Sequence, residues 1–236
     1  MPIFFWCVNK SLIVSYLEGG YNLLKFVFKK DYEFKKMYDH VEKFIGKPDY
    51  INIDTVTDDT DVSLFTFLAN NKRPYHTIIT AGMSGNPTLV PYDQDVWKYT
   101  ELMIYLPKSW PVSKEAIKTF EQYWPIGWLR KLSKFPQENK TWFCWGDTIP
   151  NGEPPQPFAR NTDFCCMLLL PPIQEDETFF KLQINKNKTI RYLVVVPIYK
   201  EEMEFKIKHG YEQLLQKFDA NNISDLININ RINTCK

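Results

Sequence analysis

His40, His76 and His209 are the three histidines of this 236-residue chain and the first residues to try for acid–base or metal chemistry. No pair of them falls at the His-x-x-x-His or Glu-x-x-His interval that would put two ligands on one helix face. His40 and His209 lie on predicted helices as solvated or capping residues, and His76 starts a predicted strand as a surface residue. The chain has no phosphate-cradling Gly-x-x-x-x-Gly-Lys-Ser/Thr run, no Gly-x-Gly-x-x-Gly after a strand and no Gly-x-Ser-x-Gly elbow. Gly82-Met83-Ser84-Gly85 places its serine one position early for such an elbow. Cys144 sits between Trp142 and Trp145, but a nucleophilic thiol needs a base beside it and the sequence supplies none. Glu101, Asp147, Glu153 and Asp163 would form an acid–base or metal site only if the fold gathered them. Their spacing matches no catalytic signature, so solvated or hydrogen-bonding roles are expected.

The aromatic residues carry more information than the titratable ones. Trp142, Phe143 and Trp145 flank the Gly146-Asp147 turn, within a proline-rich stretch that excludes regular helix. Rings on a shaped loop beside a charge supply contact area at low entropic cost, which suits a binding surface. The same rings could fold inward and plug the core, and composition leaves both options open. Net charge is +1, with 24% charged residues, so no strong field draws in nucleic acid or an anionic membrane. Five cysteines without framework spacing suggest reduced thiols and a cytoplasmic location. Residues 1–30 are interrupted by Asn9, Lys10 and Glu18, too short a run to span a bilayer, and are expected to form an extension of uncertain order.

The elements that must position these residues read as an α+β domain over 31–236. A helix is predicted over 31–45, with Asp31 as cap and Phe34, Met37, Tyr38, Val41, Phe44 and Ile45 on one face. Strands follow at 50–54, 62–68 and 75–80, the last two antiparallel across the 70–74 link. At 99–106 the pattern alternates: Tyr99, Glu101, Met103 and Tyr105 on one side, Leu102, Ile104 and Leu106 on the other. Ser113 is expected to cap a helix reaching Trp124, and Pro125 to begin another that carries Leu129 and Leu132. Segments 164–170 and 190–198 read as buried strands. One further helix is predicted over 200–219, with Met203, Ile207, Tyr211, Leu214, Leu215 and Phe218 inward. Its exposed face would pair Glu202 with Lys206 and Glu204 with Lys208. Beyond Asn221 the tail is polar apart from scattered isoleucines. The order implies a mixed, largely antiparallel sheet packed with helices.

Several stretches resemble the Suppressor-of-fused domain family: Arg73-Pro74-Tyr75-His76-Thr77 leading into Thr80-Ala81-Gly82-Met83-Ser84, then 99–107, 139–152, 164–172 and 197–205, in that order along the chain. The resemblance implies an α+β domain that binds proteins without catalysing a reaction and needs no cofactor. Animal members hold a transcription factor between this domain and a second, C-terminal one. The sequence ends where the first domain ends, so it resembles the compact bacterial members, many of them proposed to be immunity proteins that neutralise a toxin encoded beside them. In the animal domain a Gly-Asp turn gives an aspartate to the partner peptide, a role the resemblance places on Asp147. A contributing tyrosine is replaced here by Phe135, which lacks the hydroxyl. The expected partner-binding set is Phe135, Trp145, Asp147, Thr148 and Glu101, with Asp147 alternatively stabilising its own turn. The expected partner is a protein, neither nucleic acid nor membrane. An adaptor that binds an extended peptide, or a carboxylate-based hydrolase, are the competing expectations.

Overall fold

A computed structural model describes residues 7–8, 11–15, 32–54 and 62–236 of the chain. Ten strands form one sheet among them: β1 (Cys7–Val8), β2 (Ser11–Ser15), β3 (Tyr50–Asp54), β4 (Ser63–Phe67), β5 (Tyr75–Ala81), β6 (Thr100–Pro107), β7 (Thr148–Pro150), β8 (Cys166–Leu170), β9 (Lys181–Asn185) and β10 (Lys188–Ile198). They run in the order β1-β2-β3-β4-β5-β6-β10-β8-β7, with β9 also paired to β10. The β6–β10 pairing is parallel and every other pairing is antiparallel. The fold is therefore α+β with a mixed, mostly antiparallel sheet. β1 and β2, inside the segment read as an extension, add to the sheet edge beside β3.

Burial of both faces explains why β4, β6, β8 and β10 read as near-continuous apolar runs. On one face, helices α1 (Tyr32–Phe44), α3 (Lys200–His209) and α4 (Tyr211–Ala220) cover Met103, Tyr105, Tyr192 and Val194. On the other, α2 (Phe120–Asn139) covers Leu102, Ile104, Leu193 and Val195 with Trp124, Leu129 and Leu132. The alternation along β6 thus sorts its side chains between two cores. Phe34, Met37, Tyr38 and Val41 are the buried stripe of α1; the expected cap, Asp31, lies outside the described residues.

Several expectations require correction. The helices expected over 113–124 and from Pro125 onward are replaced by one, α2, which begins at Phe120 after Thr119 and contains Pro125 and Pro136; Ser113 lies in a turn before it and caps no helix. A proline leaves the carbonyl four residues earlier without its helical donor, and here Asn161 Nδ2 donates to that Glu121 oxygen at 3.1 Å. The helix expected over 200–219 is two, broken at Gly210 with φ at +91°, a conformation open to glycine. Ile207, assigned inward, is exposed as a result. Glu202 does not pair with Lys206 on a solvated face. It is fully buried and accepts hydrogen bonds from both guanidinium nitrogens of Arg231 at 2.6 Å. Nor does Glu204 pair with Lys208; its ion-pair partner is Lys200, at 3.7 Å.

That pairing draws the tail into the molecule. Arg231 also donates to Pro197 O, and its guanidinium lies over the rings of Phe164, Tyr199 and Phe218. Upstream, Ile227 is buried and its N–H donates to Tyr105 O.

Candidate functional site

The turn that follows α2 has a defined internal geometry. Cys144 N donates to Asp147 Oδ2 at 2.8 Å, so the carboxylate closes its own turn. Gly146 N donates to Leu169 O and Leu169 N to Asp147 O, both at 2.9 Å, which pins the turn to the end of β8. Gly146 has φ at +80°, and a Cβ there would come within 2.8 Å of the Tyr211 ring. Both the backbone conformation and the close approach call for glycine at this position.

The rings divide between inside and outside. Phe143 is buried in the second core, whereas Trp145 is 39% exposed. Trp145 packs edge-on against Trp97 at 5.4 Å and against Phe180 at 5.0 Å, making a cluster of three rings. The Arg191 guanidinium lies over Trp97 at 5.4 Å, and Lys181 Nζ lies 5.8 Å from the Phe180 ring centre. Sheet register brings them together: Arg191 on β10 faces Thr100 of β6 on one side and Lys181 of β9 on the other. Trp97 precedes β6 and Phe180 precedes β9, so both arrive at the level where β8 ends and the Trp145 turn begins. Arg191 donates to Val96 O and has no acidic partner among the described residues; partial burial lowers its pKa.

Thr148 opens β7 beside this turn, and Lys206 Nζ donates to its hydroxyl at 3.4 Å. Trp145, Asp147 and Thr148 are therefore neighbours at the surface. Phe135 stands apart from them, half-buried and stacked on Phe143 at 5.9 Å. Glu101 must be removed from any outward-facing set, because it is fully buried. Its carboxylate accepts from Thr80 Oγ1, Gly82 N, Ser84 N and Ser84 Oγ at 2.6–3.0 Å. Burial raises its pKa, and hydrogen bonds from Ser84 and Thr80 oppose the rise. Two of the stretches that carry the family resemblance, 80–84 and 99–107, thus meet in one buried hydrogen-bond set.

The remaining titratable candidates are also placed by packing. The Cys144 thiol is pushed up to about 11, first by partial burial and then by the Asp147 carboxylate. A thiol so poised is a poor nucleophile at neutral pH. His76, expected at the surface, is buried; its Nδ1 accepts from Ala69 N, and its other nitrogen lies 3.1 Å from Lys108 O. His40 stacks on Phe179 and Tyr192, and burial lowers its pKa. Glu153 and Asp163 are exposed and apart from the enclosed Glu101. Among the described residues no group of three His, Cys, Asp or Glu side chains is placed to hold a metal ion, and no helix is long and apolar enough to cross a membrane.

Sequence reasoning singled out Trp145, Asp147 and Thr148, which the fold places side by side, but not Trp97, Phe180 or Arg191 beside them. No local pattern marks those three, since only the β6–β10–β9 register joins them.

A two-faced α+β sheet, with its candidate surface at the seam between β8 and β9, defines a class of domain. A family model for Suppressor of fused protein (SUFU) matches residues 57–232, and the chain belongs to that family. Solved structures agree in fold. A SUFU homologue from Neisseria gonorrhoeae FA 1090 superposes with a TM-score of 0.60 at 20% identity, covering 86% of this chain and 97% of that one. A chain of the Sufu–Fu complex gives 0.55 at 14% identity, covering 86% and 92%. Drosophila Suppressor of Fused gives 0.57 at 14% identity, covering 85% of this chain and 50% of that one. No curated protein matches the chain by sequence.

Proposed function

We propose that this chain binds another protein through the Trp97–Trp145–Phe180 cluster and the adjoining Cys144–Asp147 turn. The reading is carried by an exposed ring, Trp145, clustered with the half-buried Trp97 and Phe180 from two other segments, beside an arginine with no acidic partner among the described residues. Aromatic and arginine side chains dominate binding hot spots, because they bury much area for little lost freedom. Membership in the SUFU family supports a protein-interaction role, and one SUFU-type neighbour was solved as a complex with Fu. In its finer form the reading is an inhibitor of the immunity type, acting on a toxin encoded beside it. Family membership reaches only the protein-interaction role, and this finer form rests on the resemblance to compact bacterial members.

Co-expression with the product of the adjacent gene tests the finer form. A stoichiometric complex with an interface above about 1,000 Å² is expected, weakened by Trp145→Ala and Trp97→Ala. Absence of any complex removes the immunity form.

A second reading rests on β7, a three-residue strand at the sheet's end that, among the described residues, pairs with β8 alone. Such an edge can accept an extended peptide as a further strand. A peptide array probed with the purified domain separates the two readings. Array binding that ignores both Trp145→Ala and Asp147→Ala removes this surface from the second one.

A further inference from the structure

The segment between the 3-10 turn Met83–Gly85 and β6 is unusual in what it exposes. Its own 3-10 helix, Tyr92–Trp97, contains no buried residue. Tyr92 is 96% exposed, Leu89 65% and Val96 50%. The backbone beneath these side chains is nonetheless fastened from several directions. Thr88 N and Oγ1 both donate to Lys98 O, closing the base of the loop at 2.9 and 3.1 Å. Gln137 Nε2 on α2 donates to Pro87 O at 3.2 Å, and Arg191 on β10 donates to Val96 O. Within the loop, Gln94 N donates to Pro91 O at 2.8 Å and Lys98 N to Asp95 O at 3.2 Å. Trp97, at its foot, belongs to the ring cluster described above.

A loop fastened this way has already lost most of its backbone freedom, so burying Tyr92 against a partner costs little further ordering. Two exposed carboxylates, Asp93 and Asp95, follow Tyr92 in the same short 3-10 helix, and neither makes an ion pair among the described residues. A large exposed ring on the same turn as two acids without ion pairs is complementary to an apolar pocket with lysines or arginines at its rim.

We infer that the 86–98 loop is a preformed acidic–aromatic knob whose occupant is a protein with a cationic, apolar-floored cleft that receives Tyr92. This rests on the reading of the chain as a protein binder and specifies the chemistry of that partner.

The test places the photo-crosslinking residue p-benzoylphenylalanine at position 92 of the full chain, in the cell that naturally makes it, and separately at position 145. The expected result is a crosslink from position 92 to a lysine- or arginine-rich segment of one protein. Adding Asp93→Lys and Asp95→Lys should lower its yield at least about tenfold, because like charges then meet across the contact. Crosslinking from 92 to an acidic or neutral segment, to a second copy of this chain, or to nothing overturns the inference. So does a yield unchanged by the charge reversals. A crosslink from position 145 that persists while position 92 gives none removes the knob alone and leaves the protein-binding reading standing.

Discussion

Replacing Arg231 is the sharpest test of how the tail is joined to the fold. The Glu202 carboxylate is enclosed and accepts five hydrogen bonds: Arg231 Nη1 and Nη2 at 2.6 Å each, Thr234 N at 3.0 Å, Thr234 Oγ1 at 3.1 Å and Tyr199 N at 3.0 Å. Arg231→Met keeps much of the stem's packing against Phe164, Tyr199 and Phe218 but leaves Glu202 buried with no opposing charge. Breaking a buried pair from one side costs about 3–5 kcal/mol, a large part of the roughly 5–15 kcal/mol that holds a typical domain together. Glu202→Gln should cost a similar amount. The double variant strands neither charge, so its cost should fall short of the sum by at least about 2 kcal/mol. Urea unfolding followed by the fluorescence of the seven tryptophans reads all four corners of this cycle. Strict additivity, or an Arg231→Met cost below about 1 kcal/mol, would mean that the tail is held by its other contacts and that the pair is incidental.

Three further outcomes follow from the buried polar groups. Glu101→Ala should destabilise the protein by about 3 kcal/mol or more, since it removes the acceptor of four donors, of which Thr80 Oγ1 keeps another, Leu102 O; thermal unfolding checks this, and an unchanged melting temperature refutes it. Asp225 is held above the usual aspartate range, chiefly by burial and also by nearby Glu175, against hydrogen bonds from Gln174 and Ile173. The native state therefore binds this proton more tightly than the unfolded chain does, and stability relative to Asp225→Asn should rise as pH falls from the raised native value toward the ordinary one. Denaturation of both proteins across that acid range measures the difference, and a constant or opposite trend refutes it. Cys144, with its thiol pushed up to about 11 from 9.0, should alkylate about a hundredfold more slowly near neutral pH than an unperturbed cysteine of equal access. Mass spectrometry of iodoacetamide-treated protein reads the rate, and fast labelling of Cys144 contradicts the geometry of its turn.

Much of the architecture was legible where periodicity was strong and local. Alternation along 99–106 assigned Met103 and Tyr105 to one face and Leu102 and Ile104 to the other, and those are the two cores. What escaped depended on contacts distant in sequence. Pro125 looked like a helix start, because nothing near it announces that Asn161 will take up the carbonyl it frees. Gly210 lay in an apolar pattern that continued across it, so the pattern concealed a break that only the backbone conformation creates. β9 has just Leu182 and Ile184 as inward residues, too few to stand out from the polar residues between them. The polar composition beyond Asn221 hid an arginine that is buried because its partner is buried with it.

The surface was legible by half for a related reason. Composition left open whether the rings at 142–145 fill the core or face solvent, and the tight turn at 144–147 resolves the ambiguity one residue at a time. Phe143 enters the second core and stacks with Phe135, while Trp145 is turned outward by a backbone fixed to Leu169 on one side and crowded by Tyr211 on the other. Once outside, Trp145 meets Trp97 and Phe180, residues that no spacing rule connects to it. Their meeting follows from a parallel β6–β10 pairing inside an otherwise antiparallel sheet, because that pairing and the antiparallel β9–β10 pairing set the starts of β6 and β9 level with Arg191 of β10. The ring cluster is thus a consequence of topology, and substitutions that shift this register should disperse it even when every ring is retained.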